Sequence, residues 1–319
     1  PITHHSLDVM TSKLGPWFRS PRTMHDAMAS GKPWDVARRE EAVDVPADRA
    51  QRISDAMTGA YFGLAGEILD SGIITLADLE LAVATGLAMR APFGFINAVG
   101  VARALELADA YARSHAGFRV PRCIAAQARA ATPFRIPTVL RRDEGDISVL
   151  TIRRPHVLNA LDEEVYAQIA DHATALKADP KIAAVVLTGF GPKAFVSGAD
   201  VGFLAKIPDP AAAEATAERS KRAGDLLEQM GKPVVCALNG FAFGGGNELA
   251  MCCSARIVQK GLRVAVSQPE VQLGIIPGSG ATQRLPRLVG IEKAAVMLRI
   301  GVAISSRDAV ECGLVREEI

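Results

Sequence analysis

From residue 50 onward the chain places apolar residues at helical spacing: Met57, Tyr61, Leu64 and Ile68 recur every three or four positions, and Gly72 stands where that helix would end. Thr75, three residues before Asp78, has the form of a helix start, and Leu79, Val83 and Leu87 continue the period. The first fifty residues carry no such order. Breaker-rich runs such as GPWFRSPRT and SGKPWDVARREEAVDVPAD predict irregular structure and short helices there. Beyond a stretch rich in Ala, Arg and Pro (residues 121–137) and the charged cluster RRDEGD, the pattern alternates. ISVLTI reads as a strand, EEVYAQIADHATALK as a helix, IAAVVLTG as a strand and KAFVSGAD as a second, shorter one. An Ala-rich run is helical to near Met230, and VVCALNG and ARIVQK bracket a helix that begins near Gly245. Repeated strand, strand, helix units predict an α/β domain over residues 146–319, preceded by a small all-α domain (1–120) and a linker (121–145).

Composition narrows the picture mainly by exclusion. A chain of 319 residues, 49% hydrophobic and 22% charged, has enough apolar material for two cores. Its formal net charge of +1 offers no long-range attraction to nucleic acid or an anionic membrane surface. No apolar run approaches the ~18 residues of a membrane span, and the opening PITHHSLDVM has neither an initiating Met nor a signal layout. The five cysteines, Cys123, Cys236, Cys252, Cys253 and Cys312, are odd in number and lack CxxC spacing. They predict neither a disulfide framework nor a zinc site, and fit a reducing cytoplasm. His4 and His5 are adjacent rather than helically spaced, and His25, His115, His156 and His172 have no metal-ligand partner nearby in sequence.

The candidate chemistry lies in the glycines and two glutamates of the second half. Gly189, Gly191 and Ala194 match a loose dinucleotide pattern, but a strand follows where that fingerprint needs a helix. GGGNEL is not closed by the Lys and Ser/Thr of a phosphate loop, and no GxSxG or Cys-His nucleophile signature is present. Taken alone, GGG is a tight strand-to-helix turn. Glu248 in the first helical turn suits the helix dipole, and Ser267, Pro269 and Glu270 have the form of a capping box. Together they suggest more. Gly245 exposes its N–H at a helix start, and Ala199, beside Gly198 and before a helix-capping Asp200, offers a second donor. Two anion-binding donors and two carboxylates are what enolate chemistry beside a carbonyl requires.

These residues carry a family resemblance. NALDEEVYAQI, VVLTGFGPKAFVSGAD, KPVVCALNGFAFGGGNELAMCCSARI, SQPEVQLGIIPGSGATQRLPRLVG and DAVECGLV follow one another as in the crotonase superfamily, the enoyl-CoA hydratase and isomerase family. The resemblance implies a right-handed spiral of strand-strand-helix turns, assembled as a trimer or a pair of trimers, that acts on an acyl-CoA thioester without metal or redox cofactor. It implies that Ala199 and Gly245 form an oxyanion hole and that Glu248 and Glu270 hold the water added across a trans-2-enoyl double bond. Gly278, with Gly198 and Asp200, falls at water- or substrate-binding positions, while Gly202 stands where many hydratases carry a basic residue near coenzyme A. Relatives continue past the point where this chain stops, at GLVREEI, into further helices, so the resemblance also implies a shortened domain. Double-bond isomerisation, hydrolysis of a cyclic oxo-acyl-CoA and a non-catalytic acyl-CoA-binding role stay open. GEILDSGIITLADLELAVATGLAMRAPFGFINAVG is similar to the C-terminal helical domain of 3-hydroxyacyl-CoA dehydrogenases. That second resemblance implies a dehydrogenase/hydratase fusion of the β-oxidation type, with NAD relevant only to a nucleotide-binding domain upstream.

Overall fold

The computed structural model describes residues 22–31 and 44–319, with the single positions Val9 and Ser12. The expectation of irregular structure in the first fifty residues, and the pair His4 and His5, fall mostly or wholly outside that range. The helical part comprises α1 (Arg22–Ser30), α2 (Ala47–Asp70), α3 (Leu76–Gly86), α4 (Pro92–Val99), α5 (Val101–Ser114) and α6 (Arg122–Ala130). Among these, α2 to α6 close around Phe62, Phe93, Ile96 and Ile124, all fully buried. Thr75 starts α3 as its spacing predicts, its hydroxyl accepting from the Asp78 N–H at 3.2 Å.

Helix α2 lies where the periodicity puts it, but it buries a different face. Met57 is 69% exposed, and Leu64 and Ile68 are exposed with it, while Gly59, Phe62, Gly63, Ala65 and Gly66 face the core. The reason is close approach. A Cβ on Gly59 would sit 2.3 Å from the Leu107 carbonyl oxygen of α5, and one on Gly63 would lie 1.9 Å from the Phe118 ring. Small residues let backbone and aromatic ring fill space that a stripe of large side chains would have occupied.

The expected linker is structured. Its first half forms α6, anchored by the buried Ile124, and its last residues form strand β1 (Val139–Glu144). β1 pairs antiparallel with β2 (Ile147–Ile152) across a turn in which Gly145 takes φ +64°. Charge hid this strand, because an edge strand exposed at one end tolerates Arg, Asp and Glu. Arg141 pairs with Asp143 at 2.8 Å and Asp179 at 2.9 Å.

The α/β domain continues through α7 (Glu163–Ala178), β3 (Ala184–Gly189), β4 (Ala194–Val196), α8 (Val201–Leu204), α9 (Pro210–Glu228), β5 (Val234–Leu238) and β6 (Phe241–Phe243). There follow α10 (Gly245–Met251), β7 (Ala255–Val258), β8 (Val266–Ser267), a 3-10 turn (Pro269–Leu273), α11 (Ala281–Val289), α12 (Ile291–Ile300), α13 (Ser306–Glu311) and β9 (Glu317–Glu318). The strands form two sheets, β1-β2-β3-β5-β7-β9 and β4-β6-β8, alternating between them from β3 onward and parallel except for the β1–β2 pair. From β3 onward each successive strand pair, β3/β4, β5/β6 and β7/β8, contributes one strand to each sheet before the chain turns into a helix, which is the strand-strand-helix spiral the resemblance implies. Gly189 ends β3 and Gly191 lies in the turn that leads to β4, so the dinucleotide reading is excluded by the strand at Ala194. Among the described residues no helix is long and apolar enough to cross a membrane.

The helical part is fastened to the α/β domain by polar contacts. The Arg153 guanidinium, 8% exposed, meets the Asp78 carboxylate of α3 at 2.6 Å. Asn97 of α4 both donates to the Phe134 carbonyl and accepts from its N–H, each at 2.8 Å. Gln168 of α7 accepts from the backbone N–H groups of Thr138 and Val139.

Candidate active site

The site is assembled where the spiral brings the ends of β4, β6 and β8 together. After β6, Gly244 adopts φ +48°, a conformation that favours glycine, and turns the chain into α10. A Cβ there would stand 2.8 Å from the Glu270 Oε1, so the same glycine opens room for the carboxylate. Gly246 packs against β4, where an added Cβ would meet the Val196 carbonyl oxygen at 2.5 Å. Gly245 is the first residue of α10, so its N–H has no intrahelical acceptor.

Ala199 joins Leu161 in an isolated parallel bridge. The bonds of that bridge run from the Leu161 N–H to the Gly198 carbonyl (2.9 Å) and from the Asp200 N–H to the Leu161 carbonyl (2.8 Å). The Ala199 N–H is therefore directed to the opposite side. A Cβ built on Gly245 would lie 3.5 Å from the Ala199 nitrogen, so the two donors border one small space. Both residues line a cavity of about 260 Å³ together with Gly198, Gly278, Glu248 and Glu270.

Glu248 and Glu270 are 2% and 7% exposed. Glu248 Oε1 accepts from the backbone N–H groups of Ser279 (2.8 Å) and Ala281 (2.9 Å). Burial raises its pKa, and those two N–H groups work against the rise. Glu270 lacks such strong donors. Burial, reinforced by the charge of Glu248, pushes it up to about 7. Its neighbour Gln268 directs its side-chain nitrogen at both carboxylate oxygens, at 3.3 and 3.4 Å. Two carboxylates of unequal proton affinity thus face one cavity, which suits an acid and a base of a single reaction.

Two expectations need correction. Ser267, Pro269 and Glu270 do not form a capping box: the residue before the 3-10 turn is Gln268, which makes no side-chain cap, and the Ser267 hydroxyl donates to the Gly301 carbonyl at 2.9 Å. Asp200 is absent from the cavity wall. Its carboxylate caps α8 through the Phe203 N–H (3.1 Å) and pairs with Arg154 at 3.1 Å, so it anchors the Ala199 loop from behind.

The model of the family described as enoyl-CoA hydratase/isomerase matches residues 142–319. The chain belongs to this family. Within it, the chain is similar to a protein named crotonyl-CoA hydratase from Syntrophomonas wolfei, 42% identical over 181 residues that cover 57% of this chain and 68% of the relative. It is also similar to a fatty acid oxidation complex subunit alpha of Idiomarina loihiensis, 36% identical over 56% of this chain, but spans only 25% of that longer protein. A crystal structure of an enoyl-CoA hydratase from Bacillus anthracis superposes with a TM-score of 0.55 at 31% identity, covering 57% of this chain and 70% of that one.

This hydratase/isomerase-family site also holds side chains the sequence reading passed over. Tyr166 reaches the cavity from α7, its hydroxyl 3.3 Å from a Cβ built on Gly245 and, by burial, held neutral. Ser279 bonds the Ser220 hydroxyl of α9 at 2.9 Å, and both line the cavity. Single hydroxyls carry no motif, and Tyr166 falls within a helical period that reads as core. Much of the remaining lining is apolar, including Phe203, Leu204, Ile207 and Ala213, and Ile276 of the lining is 80% exposed.

Proposed function

We propose that the chain is an enoyl-CoA hydratase, adding water across a trans-2-enoyl-CoA to give 3-hydroxyacyl-CoA. The observation that carries this is the convergence of Glu248 and Glu270 on one cavity that the Ala199 and Gly245 N–H groups also border. The thioester oxygen sits between those donors, and the acyl chain runs along the apolar lining residues. Glu248, ionised with the help of its two backbone donors, takes a proton from water as the water oxygen bonds to C3. The π electrons move to the thioester oxygen, where fixed N–H groups meet the enolate charge; losing one such donor costs ~10²- to 10³-fold in rate. Glu270, whose raised pKa keeps a proton available near neutrality, delivers it to C2. One water is added in all, and proton exchange after product release resets the two carboxylates. The Gly278 N–H helps to position the water.

Free cysteines at all five positions are in keeping with a reducing cytoplasm, and a family-type trimer or pair of trimers is proposed as the assembly. The helical part is proposed as a counterpart of the C-terminal helical domain of 3-hydroxyacyl-CoA dehydrogenases, so that the chain relates to a bifunctional enzyme. The similarity to a fatty acid oxidation complex subunit alpha supports this reading. The test is incubation with crotonyl-CoA, with product analysis. Formation of 3-hydroxybutyryl-CoA is expected. A shifted double bond or free coenzyme A would instead assign isomerase or hydrolase chemistry, and binding without turnover a non-catalytic role.

A further inference from the structure

Behind Glu270 lies a buried pair of amides that the reaction as described does not use. Asn247 and Gln268 are both fully buried, on α10 and directly after β8. Asn247 Nδ2 donates to Gln268 Oε1 at 2.7 Å, and Gln268 Nε2 in turn faces both oxygens of Glu270. An amide has one donor end and one acceptor end, so fixing one end fixes the other. With its oxygen held by Asn247, Gln268 has only its N–H₂ to offer the carboxylate. Among the described residues, Asn247 Oδ1 is buried with no partner. Reversing the Asn247 amide would place a two-proton donor in that dry spot and set oxygen against oxygen at Gln268, a worse arrangement than one idle acceptor. The orientation of the pair is therefore biased in one sense.

We propose that Asn247 is a positioning residue for the reaction proposed above: acting through Gln268, it holds an N–H₂ donor on the Glu270 carboxylate and so sets how readily Glu270 gives up its proton. The pair also ties α10, which carries Glu248, to the turn that carries Glu270, so the acid and the base share one support. A donor to the ionised carboxylate favours ionisation, and its loss makes Glu270 a weaker acid. Glu248 is the charged group that faces Glu270, Tyr166 is the other titratable side chain of the cavity, and Arg284 acts on Glu248; all three are untouched by the substitutions below.

The experiment compares Asn247→Leu, Asn247→Asp, Gln268→Met and the double variant Asn247→Leu/Gln268→Met. In crotonyl-CoA hydration, the high-pH limb of kcat/KM should move upward by about 0.5 unit or more in each Asn247 variant, a ~3-fold change in acid strength. KM should change little. Asn247→Asp keeps the shape of the side chain and, where ionised, offers Gln268 only acceptors, so it serves if the leucine variant folds poorly. Once Gln268 is methionine, adding Asn247→Leu should move the limb no further, because the two act as one unit. A 13C NMR titration of the Glu270 carboxyl, assigned by its loss in Glu270→Gln, reads the same shift without turnover. A protein inactive on crotonyl-CoA that still shows the NMR shift would refute the hydratase reading and uphold the relay. An unshifted Glu270 titration in the Asn247 variants, or fully additive shifts in the double variant, would overturn the relay.

Discussion

At the scale of single residues, the two glutamates are unequal for reasons that can be traced. Both are buried, but Glu248 is met by two backbone N–H groups at 2.8 and 2.9 Å and Glu270 only by a long contact to an amide. Glu248→Gln and Glu270→Gln should each lower kcat by ~10²- to 10⁴-fold while leaving thioester binding largely intact. Their combination should cost less than the sum of the two, since in the proposed reaction both serve one addition step; near-normal turnover in either single variant would remove that residue from the chemistry. The pH dependence follows with a definite sign. In its proposed role of general acid, Glu270 must be protonated, so hydration should decline as pH rises through about 7. In Glu270→Gln that limb should vanish from the residual activity. That Glu248, Glu270, Ala199 and Gly245 meet at one cavity was legible in sequence because four features of one chemistry occur together. Ser279, Ala281 and Gln268 were not, since a backbone donor has no residue signature and Gln268 becomes relevant only when β8 brings it against α10.

At the scale of elements, the strand-strand-helix order was legible from alternation, and the contacts that set its geometry were not. Gly246 shows why. In sequence it is one of three glycines in a turn, whereas in the fold it is where α10 rests on β4, with no space for a Cβ before the Val196 carbonyl oxygen at 2.5 Å. Gly246→Ala should push α10 off β4 and cost about 1–3 kcal/mol by overpacking. Because α10 carries both the Gly245 N–H and Glu248, activity should fall by more than the stability loss accounts for. Thermal melts alongside kcat/KM would separate the two effects; a destabilised variant with unchanged kcat/KM would show that the site tolerates movement of the helix. The same blindness to close approach explains α2, whose large apolar residues drew attention to one face while its glycines packed the other. Strand β1 went unseen for a complementary reason, because its charges are satisfied across an edge rather than by burial.

At the scale of the whole molecule, the helical part and the α/β domain meet through polar contacts that a sequence read in segments does not connect. Asp78 caps α3 with Thr75 and also neutralises Arg153, whose side chain is 8% exposed against 48% for Asp78. The Thr75 hydroxyl, and after it Arg153, hold the Asp78 pKa below its ordinary value. A carboxylate with a lowered folded pKa contributes stability above its unfolded value, near 4, and loses it as pH falls through the folded one. Removing the charge should therefore matter near neutrality and not in acid. Asp78→Asn should lower the melting temperature at pH 7, with a loss on the order of 1 kcal/mol because the carboxylate is half exposed and screened. That difference should close as pH falls below about 4. Arg153 lies outside the cavity wall, so hydration by the intact variant should be unchanged while hydrogen exchange in α3 and α4 speeds up. If the melting difference between wild type and Asp78→Asn were the same at pH 3 and pH 7, the contact would be incidental to how the two parts hold together.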